Sequence, residues 1–299
     1  MHKLPSVSVL IAAFAAASAC APGPTGTATS ADGMRIAYET RGAGDIAVVL
    51  VHGWVCDRSY FRHQLESFSD RYRMVAIDLA GHGESPVGRQ DSTIASFGED
   101  VAAVVRKLGL KRVVLVGHSM GGDVVVAAAR LLKGSVAGLV WVDDYKSLGP
   151  PSSDADIEAF VAKFRADFPR MANEMVRSLF RADADPALVD RVAQDMAAAP
   201  PLVGTTSIES SFKYAREIPD ALAELKLPVI AINADNGPTD EASLAKHGVK
   251  TVVMSRAGHF LMLEDPQRFD ALLDAAIKDI LGADPDGNTI EWWQPLDGQ

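Results

Sequence analysis

Three runs of this chain are apolar without a break: Ala47-Val48-Val49-Leu50-Val51, Val113-Val114-Leu115-Val116 and Leu139-Val140-Trp141-Val142. A strand with one face in water alternates apolar and polar residues. A continuous run of β-branched and aliphatic residues fits a strand covered on both faces, as in a parallel sheet. Further strands are expected at 34–40, 73–77, 229–233 and 249–254. Helical patterns separate them. Phe97, Val101, Val104, Val105 and Leu108 share one face of a helix at 94–108, which Gly109 ends. Other helices are expected at 123–132 and 266–280. Alternating strands and helices predict an α/β fold: a mostly parallel twisted sheet flanked by helices.

The alternation stops between Tyr145 and Leu225. No strand pattern occurs there. Helices are expected at 154–168, 171–180, 186–199 and 207–216, punctuated by Pro150-Pro151 and Pro200-Pro201. About 80 residues is far more than an ordinary connection, so residues 145–225 read as an inserted helical cap. The core then comprises 32–144 and 226–282. Residues 20–31, rich in Pro, Gly, Thr and Ser, read as a tether, and 283–299 as a tail carrying Trp292-Trp293.

The chemistry centres on Gly117-His118-Ser119-Met120-Gly121-Gly122, which lies between an expected strand and an expected helix. A nucleophile raised on a sharp strand-to-helix turn needs glycines two residues to either side, because Cβ atoms there would collide. Ser119 is therefore the candidate nucleophile. The backbone N–H groups of Trp54 and Met120 are candidates for the paired donors that would hold an oxyanion. His259 follows the last expected strand and is the candidate base. His52 and His82 read as structural, and Asp78 as the anchor of the turn Asp78-Leu79-Ala80-Gly81-His82-Gly83-Glu84-Ser85.

Taken in order, His52-Gly53-Trp54, the 78–85 turn, the 117–122 turn, the helical insertion and Gly258-His259-Phe260 with Glu264 and Pro266 resemble the α/β-hydrolase family over residues 34–280. The resemblance implies a sheet with a cap over its site, no cofactor, and a Ser–His–acid triad containing Ser119 and His259. The acid is where this chain departs from the family pattern. Family members commonly carry it in a G-x-x-D loop after the seventh strand, where this chain has Ala234-Asp235-Asn236-Gly237. A family variant carries it after the sixth strand, which here ends Val142-Asp143-Asp144. Asp143 is the first choice, with Asp144 and then Asp235 behind it; Asp240 is a further possibility from a shifted loop.

These features predict a serine hydrolase of small or medium carboxylic esters, working through an acyl-enzyme. An amide, lactone or carbon–carbon bond hydrolase and a haloperoxidase-like enzyme use the same constellation, and a non-catalytic binding protein is the other class left open. No metal is expected. A formal charge of −10, from 39 acidic and 29 basic residues, argues against a nucleic-acid partner.

Residues 1–19 read as a signal peptide. One lysine precedes an apolar stretch at 7–17 that is too short to span a bilayer. Ala17-Ser18-Ala19-Cys20 resembles the lipobox of bacterial lipoproteins, with Ala17 in place of the usual leucine. Cys20 is then a lipid-attachment site, and the chain is expected to be exported and membrane-anchored; ordinary cleavage after Ala19, with no lipid, would leave it periplasmic or secreted. Cys56 is left alone, with no internal disulfide. The oligomeric state is open.

Overall fold

A computed structural model describes residues 23–282. The leader, Cys20 and Trp292-Trp293 lie outside these residues. Eight strands form one sheet: β1 Thr25–Thr29, β2 Arg35–Arg41, β3 Ile46–Val51, β4 Arg73–Ile77, β5 Arg112–His118, β6 Val136–Val142, β7 Val229–Ala234 and β8 Val249–Met254. Their spatial order is β1-β2-β4-β3-β5-β6-β7-β8. The first two run antiparallel to their neighbours, and all pairs from β4 to β8 are parallel. The α/β sheet expected from the sequence is the observed one.

The three unbroken apolar runs lie in adjacent central strands, β3, β5 and β6. Val48 to Val51, Val113 to Val116 and Leu139 to Val142 are all fully buried. Each such side chain contributes about 1.5–3 kcal/mol by leaving water. They require cover on both faces. Helices α1 (Arg62–Ser67) and α11 (Pro266–Gly282) pack together as one layer, while α2 (Ile94–Lys107), α3 (Met120–Leu131) and α8 (Ile218–Leu225) form the other. Short helices α9 (Glu241–Ala245) and α10 (Leu261–Glu264) flank β8 and its exit.

Between β6 and β8 the chain also forms α4 (Asp154–Ala166), α5 (Phe168–Ser178), α6 (Pro186–Ala197) and α7 (Pro201–Tyr214). Proline opens α6 and α7 at their first turn, where its missing N–H is no loss. No described residue from 145 to 225 is in a strand. Phe160, Phe164, Phe168 and Trp54 form a connected aromatic cluster that ties these helices to the loop after β3.

Three expectations need correction, the first being the helix expected at 207–216, which spans Pro201–Tyr214. The stretch read as a tether contains β1, whose Thr25 to Thr29 pair with Glu39 to Arg35. Its Thr and Gly content resembles a linker, but an edge strand needs little apolar cover, and threonine suits extended backbone. Helix α3 begins at Met120, three residues before its expected start. Gly121 and Gly122 are poor helix formers; here tertiary packing overrides propensity.

Candidate active site

The site is assembled from the carboxyl ends of the parallel strands, where β3, β5, β6, β7 and β8 deliver their loops. Ser119 follows β5 directly and has φ 51° and ψ −127°. Its N–H donates to the Val142 carbonyl at 2.9 Å, and its carbonyl accepts from Gly122 N–H at 2.7 Å. The turn is possible only because its neighbours lack side chains. A Cβ on Gly121 would lie 2.5 Å from the Val51 carbonyl oxygen, and one on Gly117 would strike the Gly121 backbone.

Non-glycine residues with positive φ concentrate here. Among the described residues they are Val55, Ser119, Asp143, Lys226 and Arg256. Val55 follows Trp54, Asp143 leads off β6, and Arg256 opens the loop to His259. Left-handed backbone at a β-branched residue such as Val55 costs of order 1–3 kcal/mol. Such strain persists only where the surroundings hold it.

Asp143 Oδ2 lies 2.7 Å from His259 Nδ1. Its other oxygen accepts from Ala234 N–H at 2.8 Å and forms an ion pair with Lys146 Nζ at 3.1 Å. Burial opposes the Asp143 charge. The His259 hydrogen bond, the charges of His259 and Lys146, and the Ala234 N–H outweigh it and hold the carboxyl below its ordinary value. Asp143 is thus ionised at neutral pH and can only accept. His259 Nδ1 therefore carries the proton, which leaves a lone pair on Nε2.

His259 is held from three further directions. Its N–H donates to Leu179 O, at the end of α5, at 3.1 Å. Glu264 accepts from Gly258 N–H at 2.9 Å and Phe260 N–H at 3.1 Å, bracketing the histidine. The His118 ring contacts the His259 carbonyl through Nε2 at 2.9 Å. Burial, and then the nearby His259, push His118 down to about 3. It is neutral, so Nε2 carries the proton and Nδ1 does not.

The other carboxylates considered for the acid lie elsewhere. Asp235 accepts from Arg256 N–H at 2.8 Å and Ala257 N–H at 3.1 Å. Asp240 caps α9, accepting from Ser243 N–H at 2.9 Å. Asp144 lines the cavity and has no hydrogen bond to His259. Asp78 anchors its own turn through Arg58 N–H and Glu84 N–H, and His52 accepts from Leu79 N–H at 3.1 Å.

Ser119, His259, Trp54 and Met120 all line one cavity of about 240 Å³. Met120 is the first residue of α3, so its N–H has no carbonyl of its own helix to bond. Trp54 is tied to α7 by its indole N–H, which donates to Gly204 O at 2.7 Å. Lys146, His118, Leu179 and Glu264 were not anticipated as parts of this arrangement. His118 and Glu264 stood within the motifs themselves. Lys146 stood three residues after Asp143, while the role of the Leu179 carbonyl depends on contact between distant segments.

Residues 48–272 match the alpha/beta hydrolase family. The dihydrolipoyllysine-residue acetyltransferase component of the acetoin cleaving system of Cupriavidus necator is 28% identical over 254 residues, covering 81% of this chain. The match spans only 66% of that protein's length. The AB hydrolase superfamily protein YisY of Bacillus subtilis is 26% identical over 242 residues, covering 76% of this chain and 89% of that one. A thermophilic esterase from Thermogutta terrifontis superposes with a TM-score of 0.75 at 25% identity, covering 86% of this chain and 99% of the esterase. The family match takes in β3 through β8 and the whole of the site just described, and the chain belongs to the alpha/beta hydrolase family.

Proposed function

We propose that this α/β-fold hydrolase is a serine esterase of small carboxylic esters, with Ser119 as nucleophile, His259 as base and Asp143 as the acid. The observation that carries the reading is the 2.7 Å hydrogen bond between Asp143 and Nδ1 of His259, a residue that lines one cavity with a strained serine. Ser119 Oγ attacks the ester carbonyl carbon while its proton passes to His259 Nε2. Negative charge develops on the carbonyl oxygen, where the N–H groups of Trp54 and Met120 are the candidate donors. Collapse expels the alkoxide, which takes the proton from His259. Water then repeats the sequence on the acyl-enzyme, releases the acid and restores Ser119. Asp143 stays ionised throughout and stabilises the transient imidazolium.

The cavity volume favours short acyl groups. A chain-length series of p-nitrophenyl esters tests the reading. Hydrolysis of acetate to hexanoate esters, falling for longer chains and abolished in Ser119→Ala, is expected. Turnover that survives in Ser119→Ala would overturn it.

A further inference from the structure

One end of the cavity is polar in a way that the hydrolytic steps do not use. Asp144 follows Asp143 and lines the cavity. Its Oδ2 is enclosed and has no hydrogen-bond partner among the described residues. The carboxyl rests against the first turn of α3, where Gly122 leaves room that a Cβ would fill. Its neighbour Asp123, on α3, is by contrast satisfied: Ser211 Oγ donates to it at 2.6 Å and the Tyr145 hydroxyl at 2.5 Å. The remaining wall is largely aromatic and aliphatic, including Phe160, Phe212 and Met196, and no lysine or arginine lines it.

Oδ2 is sealed against Gly122, whereas the other Asp144 oxygen is not enclosed and has no hydrogen-bond partner among the described residues, so it is the atom left for a group brought into the cavity. Burial, and then the charges of Asp123 and Asp143, raise the Asp144 carboxyl well above its ordinary value. An acid kept neutral has a proton to donate. An anionic substrate would find no cation in this wall.

Resting on the esterase reading, we infer that Asp144 determines specificity by donating a hydrogen bond to an uncharged oxygen carried by the substrate away from its scissile carbonyl. Esters with an ether or similar oxygen in a short chain are therefore preferred over their plain alkyl matches.

The test compares p-nitrophenyl hexanoate with analogues in which an ether oxygen replaces the chain methylene at position 3, 4 or 5. A second series places the ether oxygen in the alcohol chain of acetate esters. In the wild type, kcat/KM is expected to favour one oxygen position by about tenfold. Asp144→Asn, whose amide still donates, keeps that ratio within about threefold, and Asp144→Leu removes it. Thermal melts verify that each variant is folded.

No preference in either series for the wild type overturns the inference without reference to any variant. So does a preference that Asp144→Leu retains. An ω-ammonium ester preferred by the wild type and lost in Asp144→Asn would make the site a cation site instead, and also overturns it. The same pairs are titrated by calorimetry against Ser119→Ala, where binding is read without turnover. Oxygen preference in binding with no turnover by the wild type would sink the esterase reading alone. Turnover without oxygen preference would sink this inference alone.

Discussion

Asp143→Asn alters one atom of the site and is expected to abolish most of its activity. The carboxylate serves two donors, His259 Nδ1 at 2.7 Å and Ala234 N–H at 2.8 Å, and pairs with the Lys146 ammonium at 3.1 Å. An asparagine has one oxygen to offer. Turned toward Ala234 and Lys146, it points its amide N–H groups at His259 Nδ1. Two donors cannot face each other, so His259 shifts its proton to Nε2 and can no longer accept from Ser119. The reverse orientation leaves the buried Ala234 N–H without an acceptor and sets an amide N–H against the Lys146 ammonium, at a cost of about 1–3 kcal/mol. The first orientation therefore prevails.

A wrong tautomer lowers kcat by roughly 10³–10⁴-fold, equivalent to about 4–5.5 kcal/mol of barrier. Asp143 is absent from the cavity lining, so KM should change by no more than about threefold. Steady-state hydrolysis of p-nitrophenyl butyrate reads both constants, and a thermal melt verifies the fold. The reasoning fails if Asp143→Asn keeps kcat within about tenfold of wild type. Loss in Asp235→Asn instead would move the acid to that loop.

Gly121→Ala drives a methyl to within 2.5 Å of one backbone carbonyl oxygen and 2.7 Å of another, Val51 and His52, neither able to swing aside. A loss of about 3 kcal/mol is expected, a fall in Tm of roughly 6–12 °C by calorimetry. Asp123 is pushed up to about 7, chiefly by burial, against the Ser211 and Tyr145 donors. Between its ordinary 3.8 and about 7 the folded state keeps the proton and the unfolded state loses it, so stability falls as pH rises through that window. At about 1.4 kcal/mol per pH unit this is roughly 4 kcal/mol, and urea melts of Asp123→Asn from pH 4 to 8 should show a smaller decline than wild type, the remainder coming from the buried Asp144. Cys56 is buried, and burial raises its thiol well above the ordinary value. At pH 8 it should resist iodoacetamide in the folded protein and react within minutes in urea; rapid labelling of the folded state would mean that the cavity wall opens.

How much of this was legible in the sequence follows from which forces are local. The central strands were readable because burial on both faces writes an unbroken apolar run, as in Val48 to Val51. Helix α2 was readable from its apolar face and from Gly109, which indeed has φ 62°. Strand β1 was hidden because an edge strand of Thr and Gly carries the composition of a linker. The early start of α3 was hidden because Gly121 and Gly122 are held by packing.

At the site, Ser119 and His259 could be named from motifs. The acid could not be fixed, since four carboxylates stood at plausible strand ends. Only the adjacency of β6, β7 and β8 brings the first residue after β6, and not its neighbour, to His259 Nδ1. The Ala234 contact that helps hold the Asp143 charge arises from the same adjacency, whereas Lys146 lies three residues further along the same loop. His118 lay in plain view in the serine turn. Its hydrogen bond to a carbonyl 141 residues away did not.

The most direct test of the account is covalent labelling of Ser119 by an active-site fluorophosphonate, read by intact mass and peptide mapping. The account predicts one adduct per chain, on Ser119, absent in Ser119→Ala and formed at least about 10³-fold more slowly in His259→Ala. A folded protein that takes no adduct, or takes it on another residue, would contradict it.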